Sequence, residues 1–60
     1  MMNSDILAYM RLVGVPLYFR QIANWFPGDS EEVELFRRLR LLVESGFIRK
    51  DDKGRYEVIR

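Results

Sequence analysis

Arg37, Arg38 and Arg40 fall within four consecutive positions, and Arg49, Lys50, Lys53 and Arg55 follow within the next fifteen. Guanidinium and ammonium groups at this density have one characteristic chemistry. They neutralise and hydrogen-bond anionic oxygens, arginine through a planar fork of donors and lysine as a point charge. The chain offers little other chemistry. It has no histidine and no cysteine, so neither a Ser-His-Asp nor a Cys-His nucleophile can be assembled, and thiolate metal sites are excluded. Neither GxxxxGK[ST] nor GxGxxG occurs, so no phosphate-cradling loop is indicated. Asp51 and Asp52 are adjacent carboxylates, but neighbours on a strand point to opposite faces. With Gly54 they read as turn residues rather than metal ligands. No enzymatic activity, cofactor, metal or small-molecule site is expected.

The charge is unevenly distributed. The whole chain carries 10 basic and 9 acidic residues for a net charge of +1. Residues 1–36 hold two basic residues (Arg11, Arg20) against five acids (Asp5, Asp29, Glu31, Glu32, Glu34), a net −3. Residues 37–60 hold eight basic residues against four acids (Glu44, Asp51, Asp52, Glu57), a net +4. A field of this shape favours an anionic partner for the C-terminal half. A chain of 60 residues allows one domain with a small core, burying only ~60% of the surface exposed on unfolding. No apolar run approaches the ~18–20 residues of a membrane span, and the N-terminus lacks the order of a secretory signal. A soluble cytoplasmic domain is the expectation.

The elements that must position these cations follow from spacing and punctuation, at about 4–13, 18–26 and 30–45 for three helices and about 47–59 for a hairpin. Asn3, Ser4 and Asp5 are cap types ahead of a first helix with Ile6, Met10 and Val13 at helical spacing and Leu7 beside them. Gly14 stops it, and Val15-Pro16 is extended, because a residue before proline leaves the helical region. That dipeptide is a candidate short strand bordering the hairpin. Phe19, Ile22, Ala23 and Phe26 make the apolar stripe of a second helix, ended by Pro27-Gly28. Asp29 with Glu32 has the capping-box pattern. Leu35, Leu39, Leu42 and Val43, with Phe36 close by, give the third helix its core stripe, and Gly46 takes the left-handed position after it. The fold class is mainly α with a small antiparallel hairpin (α+β).

In this order, three stretches resemble the winged helix-turn-helix superfamily of bacterial and archaeal DNA-binding proteins. Phe19-Arg20-Gln21-Ile22-Ala23 looks like the start of its second helix. Leu39-Arg40-Leu41-Leu42-Val43-Glu44-Ser45-Gly46-Phe47-Ile48 is similar to the end of its recognition helix, and Arg49 through Tyr56 looks like a short wing. The resemblance covers nearly the whole chain and leaves the subfamily open. It implies a small transcription regulator of double-stranded DNA, with the third helix in the major groove and the wing on the backbone. Arg37 and Arg38 would read bases, while Arg20, Arg40, Arg49, Lys50, Lys53 and Arg55 would contact phosphates.

The same residues carry a second reading. The first turns of the third helix hold Glu31, Glu32 and Glu34, which suit the helix dipole but depart from the polar and basic groups usual in DNA-reading helices. Glu34 and Arg38 also sit at i, i+4 spacing, as a solvated ion pair would. Charges on the hairpin equally discourage edge-to-edge strand pairing. Tyr18 and Trp25, seven residues apart on a helix, share a face. They are either large core residues or, with Tyr9, Leu12 and the outward Leu41, a surface for a protein partner or a homodimer. That alternative is a winged helix interaction module without DNA binding.

Overall fold

The structure, a computed structural model, describes residues 2–27 and 32–59. Three helices pack against a two-stranded antiparallel hairpin: α1 (Asn3–Val13), α2 (Phe19–Trp25), α3 (Glu32–Glu44), β1 (Ile48–Lys50) and β2 (Tyr56–Val58). The class is α+β and mainly helical. No helix among the described residues is long and apolar enough to cross a membrane.

Helix α1 begins one residue earlier than the cap types suggest. Met2 is the extended N-cap, and its N–H donates to Asp5 Oδ2 at 2.9 Å. Asn3 and Ser4 therefore lie in the first turn, and Asp5 closes the helix end as an acid in the favourable position. Gly14 ends α1 with φ 76° and an N–H to the Met10 carbonyl at 3.0 Å, a left-handed position that costs glycine little.

The strand bordering the hairpin is carried by Leu17, not by Val15-Pro16. Leu17 N–H reaches the Tyr56 carbonyl at 2.8 Å, and Tyr56 N–H returns to the Leu17 carbonyl at 2.7 Å. Proline has no N–H to give, so Pro16 itself cannot complete such a pair, and the bridge falls on the residue after it. This bridge ties the segment between α1 and α2 to β2.

Helix α2 is shorter than the apolar stripe implied. Tyr18 is its N-cap rather than a helical residue, donating its N–H to Gln21 Oε1 at 2.8 Å. The Asp29 cap and the start of α3 at Ser30 lie outside the described residues. At its other end α3 closes with a Schellman pattern. Phe47 N–H bonds the Leu42 carbonyl at 3.0 Å and Gly46 N–H the Val43 carbonyl at 3.1 Å, with Gly46 at φ 83°. The chain thus turns from α3 into β1 within three residues, Ser45 to Phe47.

The core draws on every element. Ile6, Leu7, Met10, Leu17, Ile22, Leu35, Leu39, Leu42, Ile48 and Tyr56 are buried together, with Phe19, Ala23, Phe26, Tyr9 and Val58 packed against them. Val13 and Val43, expected inside, and Phe36 beside them, are exposed. On α3 the cause is angular: Leu35, Leu39 and Leu42 fill the inward arc, and Phe36, one residue on from Leu35, is rotated by about 100°. Burying Ile48 and Tyr56 fixes the hairpin register, Ile48↔Val58, Arg49↔Glu57 and Lys50↔Tyr56, since a one-residue slip would turn both outward.

Candidate nucleic-acid interface

Opposite the Leu35–Leu39–Leu42 stripe, helical rotation brings Val33, Arg37, Arg40, Leu41 and Glu44 to the outer side of α3, and all five are exposed. The ion pairs sort the charges on this helix. Glu32 pairs with Arg20 of α2. Glu34 Oε1 lies 3.1 Å from Arg38 Nε, and Arg40 Nε lies 3.1 Å from Glu44 Oε1. The first-turn acids Glu32 and Glu34 are thus each matched by an arginine, while Glu31 lies outside the described residues. Among the described residues Arg37 alone on α3 has no charged partner.

Arg37 and Arg38, neighbours in sequence, have different surroundings. Arg38 is half-buried, and its Nη1 donates to Asn3 Oδ1 of α1 at 3.1 Å. Its buried Nε is aligned with no hydrogen-bond acceptor despite its nearness to Glu34. This side chain joins α1 to α3 through Nη1, which gives it a structural contact besides the base-reading role expected of it. Arg38→Ala is expected to lower stability by about 1 kcal/mol, the usual net loss of such a bond, with duplex affinity per folded molecule unchanged. Urea unfolding and binding measured on the same preparation check this; lost affinity at unchanged stability would make Arg38 a reader after all.

On the hairpin, Arg49 pairs with Glu57 across the strands. Arg55 Nε lies 2.9 Å from Asp51 Oδ2. Lys50 sits with Nζ 5.4 Å from the Tyr56 ring centroid, a cation–π contact that leaves the ammonium exposed. Lys53 at the turn is exposed, and among the described residues neither lysine has a carboxylate partner. Exposed pairs such as Arg20–Glu32, Arg40–Glu44 and Arg49–Glu57 are worth at most about 1 kcal/mol each, so these arginines can exchange a carboxylate for a phosphate. Arg55 is held more firmly, because it belongs to the turn.

That turn is built on one carboxylate. Asp51 Oδ1 accepts from Lys53 N–H at 3.0 Å and Arg55 N–H at 2.8 Å, which is the Asx-turn chemistry expected of this position. The Arg55 backbone N–H first, and then the Arg55 side chain and the Lys53 N–H, hold the Asp51 carboxyl below the usual aspartate value. A lowered folded pKa contributes stability that is present above the unfolded aspartate value and is lost as pH falls through the folded one. Acidification through that window should therefore lower the protection factors of the Lys53 and Arg55 amides against exchange. Asp51→Asn, which keeps an oxygen acceptor, should abolish that pH dependence. A carboxyl titrating at the ordinary aspartate value by NMR would overturn this account.

The proposed protein-interface residues do not form one surface. Tyr9 of α1 and Trp25 of α2 stack at 4.6 Å with ring planes 12° apart, and Phe26 meets Tyr9 edge-on. Trp25 remains 56% exposed and Leu12 79% exposed. Tyr18 is exposed at the N-cap of α2. Leu41 lies on the outer side of α3. Sequence reasoning missed Val33, which α3 spacing places one turn before Arg37, and Asn3 as the partner of Arg38. Among the described residues, no cluster of His, Cys, Asp or Glu could hold a metal ion. Compared with protein-family models, curated proteins and solved structures, the chain matches none of them.

Proposed function

We propose that this chain is a winged helix-turn-helix domain that binds double-stranded DNA and regulates transcription, with α3 in the major groove and the hairpin as a wing on the phosphate backbone. The observation that carries this reading is the state of the charges. The described acids of α3 are matched by arginines, and Arg37, at the centre of its outer side, has no charged partner among the described residues. On the hairpin Lys50 and Lys53 are exposed cations with no carboxylate partner among the described residues. Arg37 is the base-reading group, since arginine can bond guanine O6 and N7 together. Lys50, Lys53, Arg49 and Arg40 contact phosphates, and Arg20 reaches one where α2 meets the backbone. The element order supports the reading as well: helix, bridging strand residue, two helices and hairpin follow the arrangement in which such domains approach DNA. Arg38 and Arg55 hold the scaffold.

Fluorescence anisotropy of a mixed-sequence duplex, titrated at two salt concentrations, tests this directly. Binding that weakens as salt rises, and that Arg37→Ala together with Lys50→Ala and Lys53→Ala removes, is the expected result. Absence of binding at low salt would sink it.

A protein-interaction module is the second reading, favoured by one observation. Tyr9, Trp25 and Leu12 present apolar and aromatic surface between α1 and α2 that the fold does not cover, and such surface is typical of binding sites for other proteins.

A further inference from the structure

Two of the five residues on the outer side of α3 are aliphatic. Val33 is 63% exposed and Leu41 50% exposed, and each is four residues from Arg37, one before it and one after. Scattered apolar residues on a surface need no explanation. These two, however, flank the unpaired arginine of the helix, on the side away from the core. Along a helix four residues rise about 6 Å, and base pairs repeat about every 3.4 Å. Val33 and Leu41 therefore stand about two base steps to either side of the pair that Arg37 meets.

In the major groove, the apolar group that a base edge presents is the C5-methyl of thymine. On this ground we propose that Val33 and Leu41 are specificity residues that recognise thymine methyl groups on both sides of a guanine read by Arg37. The inference rests on the duplex-binding reading above and names the kind of sequence bound. The charge complementarity of that surface argues for this occupant. The acids of the helix among the described residues are paired, and Arg37, between the two aliphatic side chains, and Arg40, next to Leu41, are exposed cations on the same side of the helix. Water is displaced from the valine, the leucine and the methyl groups together, which is favourable in proportion to the apolar area covered. Cytosine, guanine and adenine carry no such methyl, so in the same place they offer Val33 and Leu41 no apolar group to cover.

The test uses short duplexes randomised over their central positions. Tight binders are selected from this pool, and each is resynthesised with deoxyuridine in place of thymidine. Deoxyuridine keeps the base pairing and the O4 acceptor and removes only the methyl group. The expected winners carry guanine with thymine about two steps away on each side. Removing each contacted methyl should weaken binding by about fourfold, the transfer value of one such group. The Val33→Ala/Leu41→Ala variant changes no charge, so it should keep the parent's salt dependence and lose the thymine preference. If the parent binds the pool in a salt-dependent way but treats thymine and deoxyuridine alike, the methyl-reading role is wrong while duplex binding stands. The role is equally wrong if the double variant keeps the preference. If neither pool nor winners bind at low salt, the duplex-binding reading fails with it, and the aliphatic-flanked arginine belongs to a protein-docking face.

Discussion

Replacing Leu39 by alanine should leave much of the protein unfolded at room temperature. Its side chain is 0% exposed, within a cluster contributed by all three helices and the hairpin. Buried leucine-to-alanine changes cost about 2–5 kcal/mol, because lost transfer energy is joined by the cavity left behind. At roughly 0.05–0.15 kcal/mol per residue, a domain of 60 residues has a stability comparable with that loss. Each kcal/mol moves the melting temperature of such a domain by about 4–8 °C, so a fall of at least about 10 °C is expected. Leu41→Ala is the internal control. It lies two residues along the same helix, exposed at 50%, and should change stability by no more than about 0.5 kcal/mol. Circular dichroism melts of the two variants decide the matter. Equal effects would mean that α3 does not face the core through Leu39.

The second large effect concerns binding, and its sign separates two kinds of contact. Each phosphate neutralised contributes about −0.9 to the slope of log affinity against log salt. Lys50→Ala with Lys53→Ala should therefore reduce the magnitude of that slope by about 2, weakening all duplex sequences alike. Arg37→Ala should instead cost about 1–3 kcal/mol on a selected sequence and much less on an unselected one, because a base-edge contact distinguishes sequences and a phosphate contact does not. Anisotropy titrations over a range of salt, with selected and mixed duplexes side by side, measure both quantities. An Arg37 variant that weakens both duplexes equally would reassign that side chain to the backbone. A lysine pair whose removal leaves the slope unchanged would take the hairpin out of the contact.

Part of this molecule is written in local patterns. Leu35, Leu39 and Leu42 recur at the spacing of a helical face, Gly14 and Gly46 stand where backbones must turn left-handed, and Asp51 with Gly54 specifies the hairpin turn. These signals act within a few residues of themselves, so the order of helices and hairpin and most of the core could be read without coordinates. The errors fall where a pattern is cut short by its neighbours. Val43 follows the helical period, yet three leucines already fill the inward arc. Val15-Pro16 is predicted as the bordering strand, yet the backbone bridge goes to Leu17, the residue after the proline that has no N–H to give. Tyr18 and Trp25 have helical spacing, yet the helix starts after Tyr18.

The candidate interface divides the same way. Its composition was legible: a cationic C-terminal half, an acidic N-terminal half, and arginines on the outside of the third helix. Which of those arginines is free to bind was not. Arg37 and Arg38 are adjacent, identical side chains, and the local difference between them, Glu34 four residues before Arg38, does not by itself divide their roles. Only the crossing of α1 over α3 brings Asn3, 35 positions away in sequence, to Arg38. In the same way, Arg20 finds Glu32 only when α2 lies against α3. The sequence by itself determined the elements, the core stripe and the sign of the surface, because periodicity and turn chemistry are short-range. The pairs Glu34–Arg38 and Arg40–Glu44 likewise lie within i, i+4 reach on one helix. The tertiary structure decided the partners that come from separate elements, Glu32 for Arg20, Asn3 for Arg38 and Glu57 for Arg49, because such a contact depends on where two elements meet in space.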